Sequence, residues 1–80
     1  MSTSAIKIEP RAVEVSHTAD SLQVRLADGR ELTVPLAWFP RLRDGSAAQL
    51  DHYRLVGGGV GIHWPDLDED VSVEGLLATR

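Results

Sequence analysis

Between Gly57 and Asp70 this 80-residue chain gathers glycines, an imidazole, an indole and four carboxylates, in the order Gly57-Gly58-Gly59-Val60-Gly61-Ile62-His63-Trp64-Pro65-Asp66-Leu67-Asp68-Glu69-Asp70. Asp66, Asp68 and Asp70 have the alternating spacing that opens an EF-hand calcium loop. The sixth position, however, is Val71 where the sharp turn needs glycine, and the twelfth is Leu77 where a bidentate glutamate belongs, so the calcium-loop reading fails. A looser divalent-metal or small-ligand site from His63, Asp66 and Asp68 stays open, because imidazole and carboxylate suit several metals. Against it stands a solvated acidic loop whose carboxylates favour the positive end of a following helix. Gly57 to Gly61 lacks both the dinucleotide-binding spacing and the Gly-Lys-Ser/Thr of a phosphate loop, and reads as a turn. Carboxylates beside His63 could do acid and base work, but no nucleophile or oxyanion donor stands at a meaningful spacing. The chain is therefore expected not to be an enzyme and to need no cofactor.

The elements that must position these groups follow from hydrophobic period and turn chemistry. Val13 and Val15 alternate with Glu14 and Ser16, and Leu22, Val24 and Leu26 alternate with Gln23 and Arg25, which predicts two half-buried strands. Asp28-Gly29 then supplies a two-residue hairpin turn into Glu31-Leu32-Thr33-Val34, and Pro35 closes that strand. Leu36 to Leu42 is too apolar for a solvated loop, and Pro40 forbids a regular helix through its middle. One or two helical turns should anchor there through Trp38, Phe39 and Leu42. Ser46 and Gln49 have capping-box spacing for a short helix from Ala47 to about Tyr53, with Leu50 and Tyr53 on its apolar stripe. Leu55-Val56 adds a third strand, Val60, Ile62 and Trp64 share one face of the next, and Pro65 ends it. Asp66 to Asp70 then reads as an acidic loop, and Ser72 as the N-cap of a last short helix.

The resulting fold class is α+β: a small antiparallel sheet with an N-terminal hairpin, short helices packed on one face and a short C-terminal helix. Residues 1–10 carry little pattern and read as a flexible N-terminal segment ahead of a single domain over 11–80. A chain of this size buries roughly 60 to 65 per cent of its unfolded surface, too little to enclose a large active-site cavity. There is no cysteine, which excludes disulfides and thiolate metal sites and suits a reducing, cytoplasmic compartment. No segment has the roughly 20 apolar residues that cross a bilayer. The net charge of -4, from 12 acidic and 8 basic side chains, argues against nucleic acid as a partner and for a basic protein. Arg41, Arg43 and Arg54 are the concentrated basic residues, and His17 and His52 read as surface side chains.

Three stretches together resemble a bacterial family known as a domain of unknown function (number twenty-four forty-two). They are the Asp28-Gly29 hairpin, Val34-Pro35-Leu36-Ala37-Trp38-Phe39-Pro40-Arg41-Leu42, and the run from Gly61-Ile62-His63-Trp64 through Pro65-Asp66-Leu67-Asp68-Glu69-Asp70 to Leu77. The resemblance covers Val13 to Leu77. It implies a compact α+β domain, in some relatives joined to a helix-turn-helix segment, and often encoded beside another small protein in what looks like a toxin and antitoxin pair. It brings no catalytic residues, and no helix-turn-helix pattern follows in this chain. The expected function is a protein-interaction module, antitoxin-like or a regulatory subunit. Trp64, Asp66, Asp68, Glu69 and Asp70 would meet a basic partner encoded nearby, while Asp28, Gly29, Trp38, Phe39, Leu42 and Ile62 would hold the fold. Homodimerisation through a sheet edge could accompany that role.

Overall fold

The computed structural model describes residues 8–78. Its strands form two three-stranded antiparallel sheets where a single sheet was expected. The first holds β1 (Ala12–His17), β2 (Ser21–Leu26) and β3 (Glu31–Pro35) in that order, and the second holds β4 (Arg54–Val56), β5 (Gly61–Trp64) and β6 (Glu69–Ser72). Three short helices complete the α+β fold: α1 (Pro40–Arg43), α2 (Ala47–Asp51) and α3 (Val73–Ala78).

The period-2 pattern of β2 buries Leu22, Val24 and Leu26, with Val34 of β3 beside them. The turn between them differs from the two-residue type. Leu26 N–H donates to Arg30 C=O, Gly29 N–H donates to Leu26 C=O at 3.0 Å, and Gly29 alone in the loop has positive φ, at 93°. This is a three-residue loop closed by a left-handed glycine, which spares Asp28 a strained backbone. The Asp28 side chain is only 3% exposed. It accepts from Arg30 Nε at 3.0 Å and from Glu9 N–H at 3.0 Å. These bonds, the Arg30 side chain first, hold its carboxyl well below the usual range, at about 2. Of the segment expected to be flexible, residues 1–7 lie outside the described residues, and Glu9 is tied to this turn.

β1 departs from strict alternation. Its register against β2 shifts between Ala12 and Glu14, so Val13 is an extra residue that turns outward while Ala12 takes the core position. Beyond β3, a 3-10 turn over Leu36–Trp38 leads to Phe39, whose φ of -129° and ψ of 88° are non-helical, and Pro40 occupies the first helical position of α1. Proline starts this helix because the N–H it lacks would have been unpaired there anyway. α2 carries the full capping box: Gln49 N–H donates to Ser46 Oγ at 3.1 Å, and Ser46 N–H donates to Gln49 Oε1 at 2.9 Å. The helix stops at Asp51, short of Tyr53, whose hydroxyl instead accepts from Val15 N–H at 3.1 Å.

That bond is one of the tethers that bring the two sheets together. Residues 53–59 run along the free edge of β1: Tyr53 reaches Val15, Arg11 donates to Gly58 C=O, and Gly59 lies against Ala12. Gly59 has φ of 107°, and a Cβ there would collide with the Ala12 carbonyl, so the approach requires glycine. Both sheets and all three helices share one core built on Trp64, Ile62, Leu22, Leu26, Leu42 and Val73. No helix among the described residues is long and apolar enough to cross a membrane.

Candidate functional site: the acidic hairpin of the second sheet

β5 and β6 pair through Gly61–Ser72, Ile62–Val71, His63–Asp70 and Trp64–Glu69. Only Pro65 to Asp68 lies in the turn, so Glu69 and Asp70, expected in a loop, belong to a strand. The β-branched Val71 pairing with Ile62 supplies the drive that these acidic residues lack by themselves. Asp68 ends the turn with φ of 51°, a left-handed conformation that aspartate tolerates better than most residues. Val60, expected to face inward with Ile62 and Trp64, instead stays helical at the end of the glycine turn and is exposed.

Each carboxylate of the hairpin has a different local partner. Asp66 Oδ2 is 2.8 Å from His52 Nδ1, and Asp70 Oδ1 is 2.8 Å from His63 Nδ1. Arg41 donates to the Asp68 main-chain oxygen and lies 3.8 Å from its carboxylate. Glu69 Oε1 accepts from Asp70 N–H at 3.1 Å. The His63, Asp66 and Asp68 metal set is therefore not assembled: the three side chains are drawn to β6, to the end of α2 and to α1. Among the described residues no group of three or more histidine, aspartate or glutamate side chains could hold a metal ion. Nearby, Arg43 Nε donates to Asp44 at 3.0 Å and holds that carboxyl below its ordinary range.

Trp64 is not offered to a partner. It is 0% exposed, and its indole N–H donates to Leu50 C=O at 3.1 Å, tying β5 to α2. Apolar area and a satisfied N–H place it in the core. Trp38 takes the opposite course. At 46% exposed it leaves the anchoring expected of it to Leu42, which is fully buried, and to the partly buried Phe39. Ile62 is fully buried beside Trp64, on the core face of β5.

Several residues that shape this surface carried no motif. Directly opposed residues on the outer face form a row Arg54, His63, Asp70 across β4, β5 and β6. Among the described residues Arg54 makes no ion pair, whereas each other described arginine has a carboxylate partner. Val13, Leu55, Val56 and Val60 are exposed at 37–52%; Val56 shares the outer face of β4 with Arg54, while Leu55 lies opposite Ile62 on the other face. An alternation pattern could not reveal the exposure of Val13 and Val60, because the bulge and the glycine turn break it.

The DUF2442 family, described as a protein of unknown function, matches residues 12–80, and the chain belongs to that family. A crystal structure of a protein of unknown function from Rhodospirillum rubrum is 31% identical, covers 85% of this chain and 84% of its own, and superposes with a TM-score of 0.72. The solution structure of an uncharacterised protein from Chromobacterium violaceum is 26% identical, also with a TM-score of 0.72. There the match covers 84% of this chain and 63% of that one. No curated protein matches the chain significantly.

Proposed function

We propose that this member of the DUF2442 family is a protein-interaction subunit, antitoxin-like or regulatory, that binds a basic protein partner and catalyses nothing. The supporting observation is the acidic hairpin itself. Asp66, Asp68 and Asp70 are exposed, Asp68 to 92%, yet they stand on a paired strand and a tight turn anchored by buried Trp64. Carboxylates held this way meet a partner with little ordering cost. Their charge would speed and orient association, and apolar contacts would supply most of the affinity.

The test is co-expression and pull-down with the protein encoded next door, comparing wild type with the triple variant Asp66→Asn, Asp68→Asn, Asp70→Asn. The variant should associate more slowly and lose the salt dependence of the wild type. Unchanged association contradicts the hairpin as the site, and absence of any complex contradicts the interaction class.

A second reading, self-association, is favoured by exposed Val56 and Val60, which line one groove with Gly61 and Ser72. A second copy seated there would cover it. Sedimentation should then show a dimer that Val60→Asp dissociates, and a monomer at high concentration removes the idea.

A further inference from the structure

β6 is the outer strand of its sheet, and its main-chain polarity can be worked out. Val73 N–H donates to Val60 C=O at 3.0 Å, one step beyond the β5–β6 ladder. In an antiparallel pair, hydrogen-bonded and non-hydrogen-bonded positions alternate, so Val71 bonds inward to Ile62 while Asp70 and Ser72 turn their main-chain groups to the open edge. Two of those outward groups are already engaged. Asp70 N–H is held by the Glu69 carboxylate at 3.1 Å, and the Ser72 carbonyl, as N-cap of α3, accepts the first helical bond while its hydroxyl accepts from Gly75 N–H at 2.9 Å. The Asp70 carbonyl and the Ser72 N–H remain. An acceptor and a donor two residues apart on one edge are what a single residue of a parallel strand bridges, through its own N–H and C=O. An antiparallel strand would have to displace Glu69, so that side chain blocks one mode of edge pairing and leaves the other.

The surroundings say what such a strand carries. A groove of about 230 Å³ lined by Phe39, Asp70, Val71, Ser72, Gly75 and Leu76 lies beside the edge. The bridging residue would share the face of Val71, toward Phe39 and Leu76, and so should be apolar. Its two neighbours would share the face of Asp70, with Asp68 and Glu74 also exposed nearby, and so should be basic. We infer that an extended segment of alternating basic and apolar residues adds to β6 in parallel, through Asp70 C=O and Ser72 N–H. This rests on the acidic hairpin as the partner surface and specifies how the partner is held.

The probe is the capped peptide Lys-Val-Lys-Val-Lys, titrated into the ¹⁵N-labelled chain beside a copy whose valines are N-methylated and an Asp-Val-Asp-Val-Asp control. The lysine peptide should shift the Ser72 amide and slow its hydrogen exchange. The N-methylated copy, which keeps the charges and loses strand donors, should bind about tenfold more weakly, the effect of one or two hydrogen bonds. The tenfold difference between the two peptides should persist in Glu69→Ala, since the parallel mode does not use Glu69 or the Asp70 N–H it holds. Equal binding of the N-methylated peptide, an unmoved Ser72 amide at saturation, or equal binding of the aspartate peptide overturns the inference. If the protein encoded next door binds while Ser72 stays unmoved, the edge mode alone fails. If that protein does not bind at all, the broader reading fails with it.

Discussion

Asp28 and Asp68 both sit in hairpin turns, and the chain uses them in opposite ways. In the first hairpin a left-handed glycine follows the aspartate, so the Asp28 backbone is relaxed and its side chain folds inward to Arg30 and Glu9. In the second hairpin no glycine follows. Asp68 itself adopts the left-handed conformation and extends its carboxylate into solvent, with Arg41 3.8 Å from that carboxylate and bonded to the Asp68 main-chain oxygen. One turn spends its charge on closing the fold, and the other, seated on buried Trp64, leaves charge available to a partner.

The comparison breaks first at what lies under the turns. Trp64→Ala removes the core side chain beneath the second hairpin and leaves the Leu50 carbonyl without its donor, at about 3–5 kcal/mol, which denaturant titration should show as near-complete loss of cooperative folding. Gly29→Ala should cost about 1–2 kcal/mol from backbone strain alone, since open space surrounds the missing Cβ. Asp68→Gly should do the reverse at the matching position of the second turn and raise stability by up to about 1 kcal/mol, less what the more flexible unfolded chain takes back.

Acid tests the Asp28 carboxylate without touching the backbone. The folded-state pKa of Asp28, about 2, lies below its ordinary value near 3.8. Its contribution is therefore complete above about pH 4 and is lost as pH falls through about 2. Melting temperatures across that window should fall less steeply in Asp28→Asn than in wild type. The smallest effect is Asp68→Asn at neutral pH, within about 0.5 kcal/mol, because so exposed a carboxylate contributes little.

How much of this could be read from residues alone depends on whether local rules acted unopposed. The β2–β3 hairpin, the Ser46 and Gln49 capping box, the Ser72 cap and the break at Pro40 were legible, since each rests on a few neighbouring side chains. Val13 was misplaced because a bulge changes which face a residue takes, and nothing in Val-Glu-Val-Ser marks the extra residue. β6 was hidden because Glu69 and Asp70 are poor strand formers on their own, and their pairing comes from Ile62 and His63 across the ladder. The division of one sheet into two depends on residues 53–59 approaching β1, a contact between segments some forty positions apart.

The site was legible in part. Its acidic residues were visible, but the same letters fit a loop, a metal cluster and a strand edge. Only the pairing of Asp66 with His52 and of Asp70 with His63 separates these. Trp64 and Trp38 exchanged their expected settings for a similar reason. An alternating strand pattern places Trp64 inside, and an exposed Trp38 depends on where the short turn ahead of Pro40 ends.

We propose the second hairpin, and not the first, as the surface on which this protein meets a partner. The most direct measurement is titration of the ¹⁵N-labelled chain with the protein encoded beside it, following backbone amides. Residues 66–72 should shift while residues 27–31 stay in place. Shifts confined to 27–31, or to Val56 and Val60, would contradict that surface.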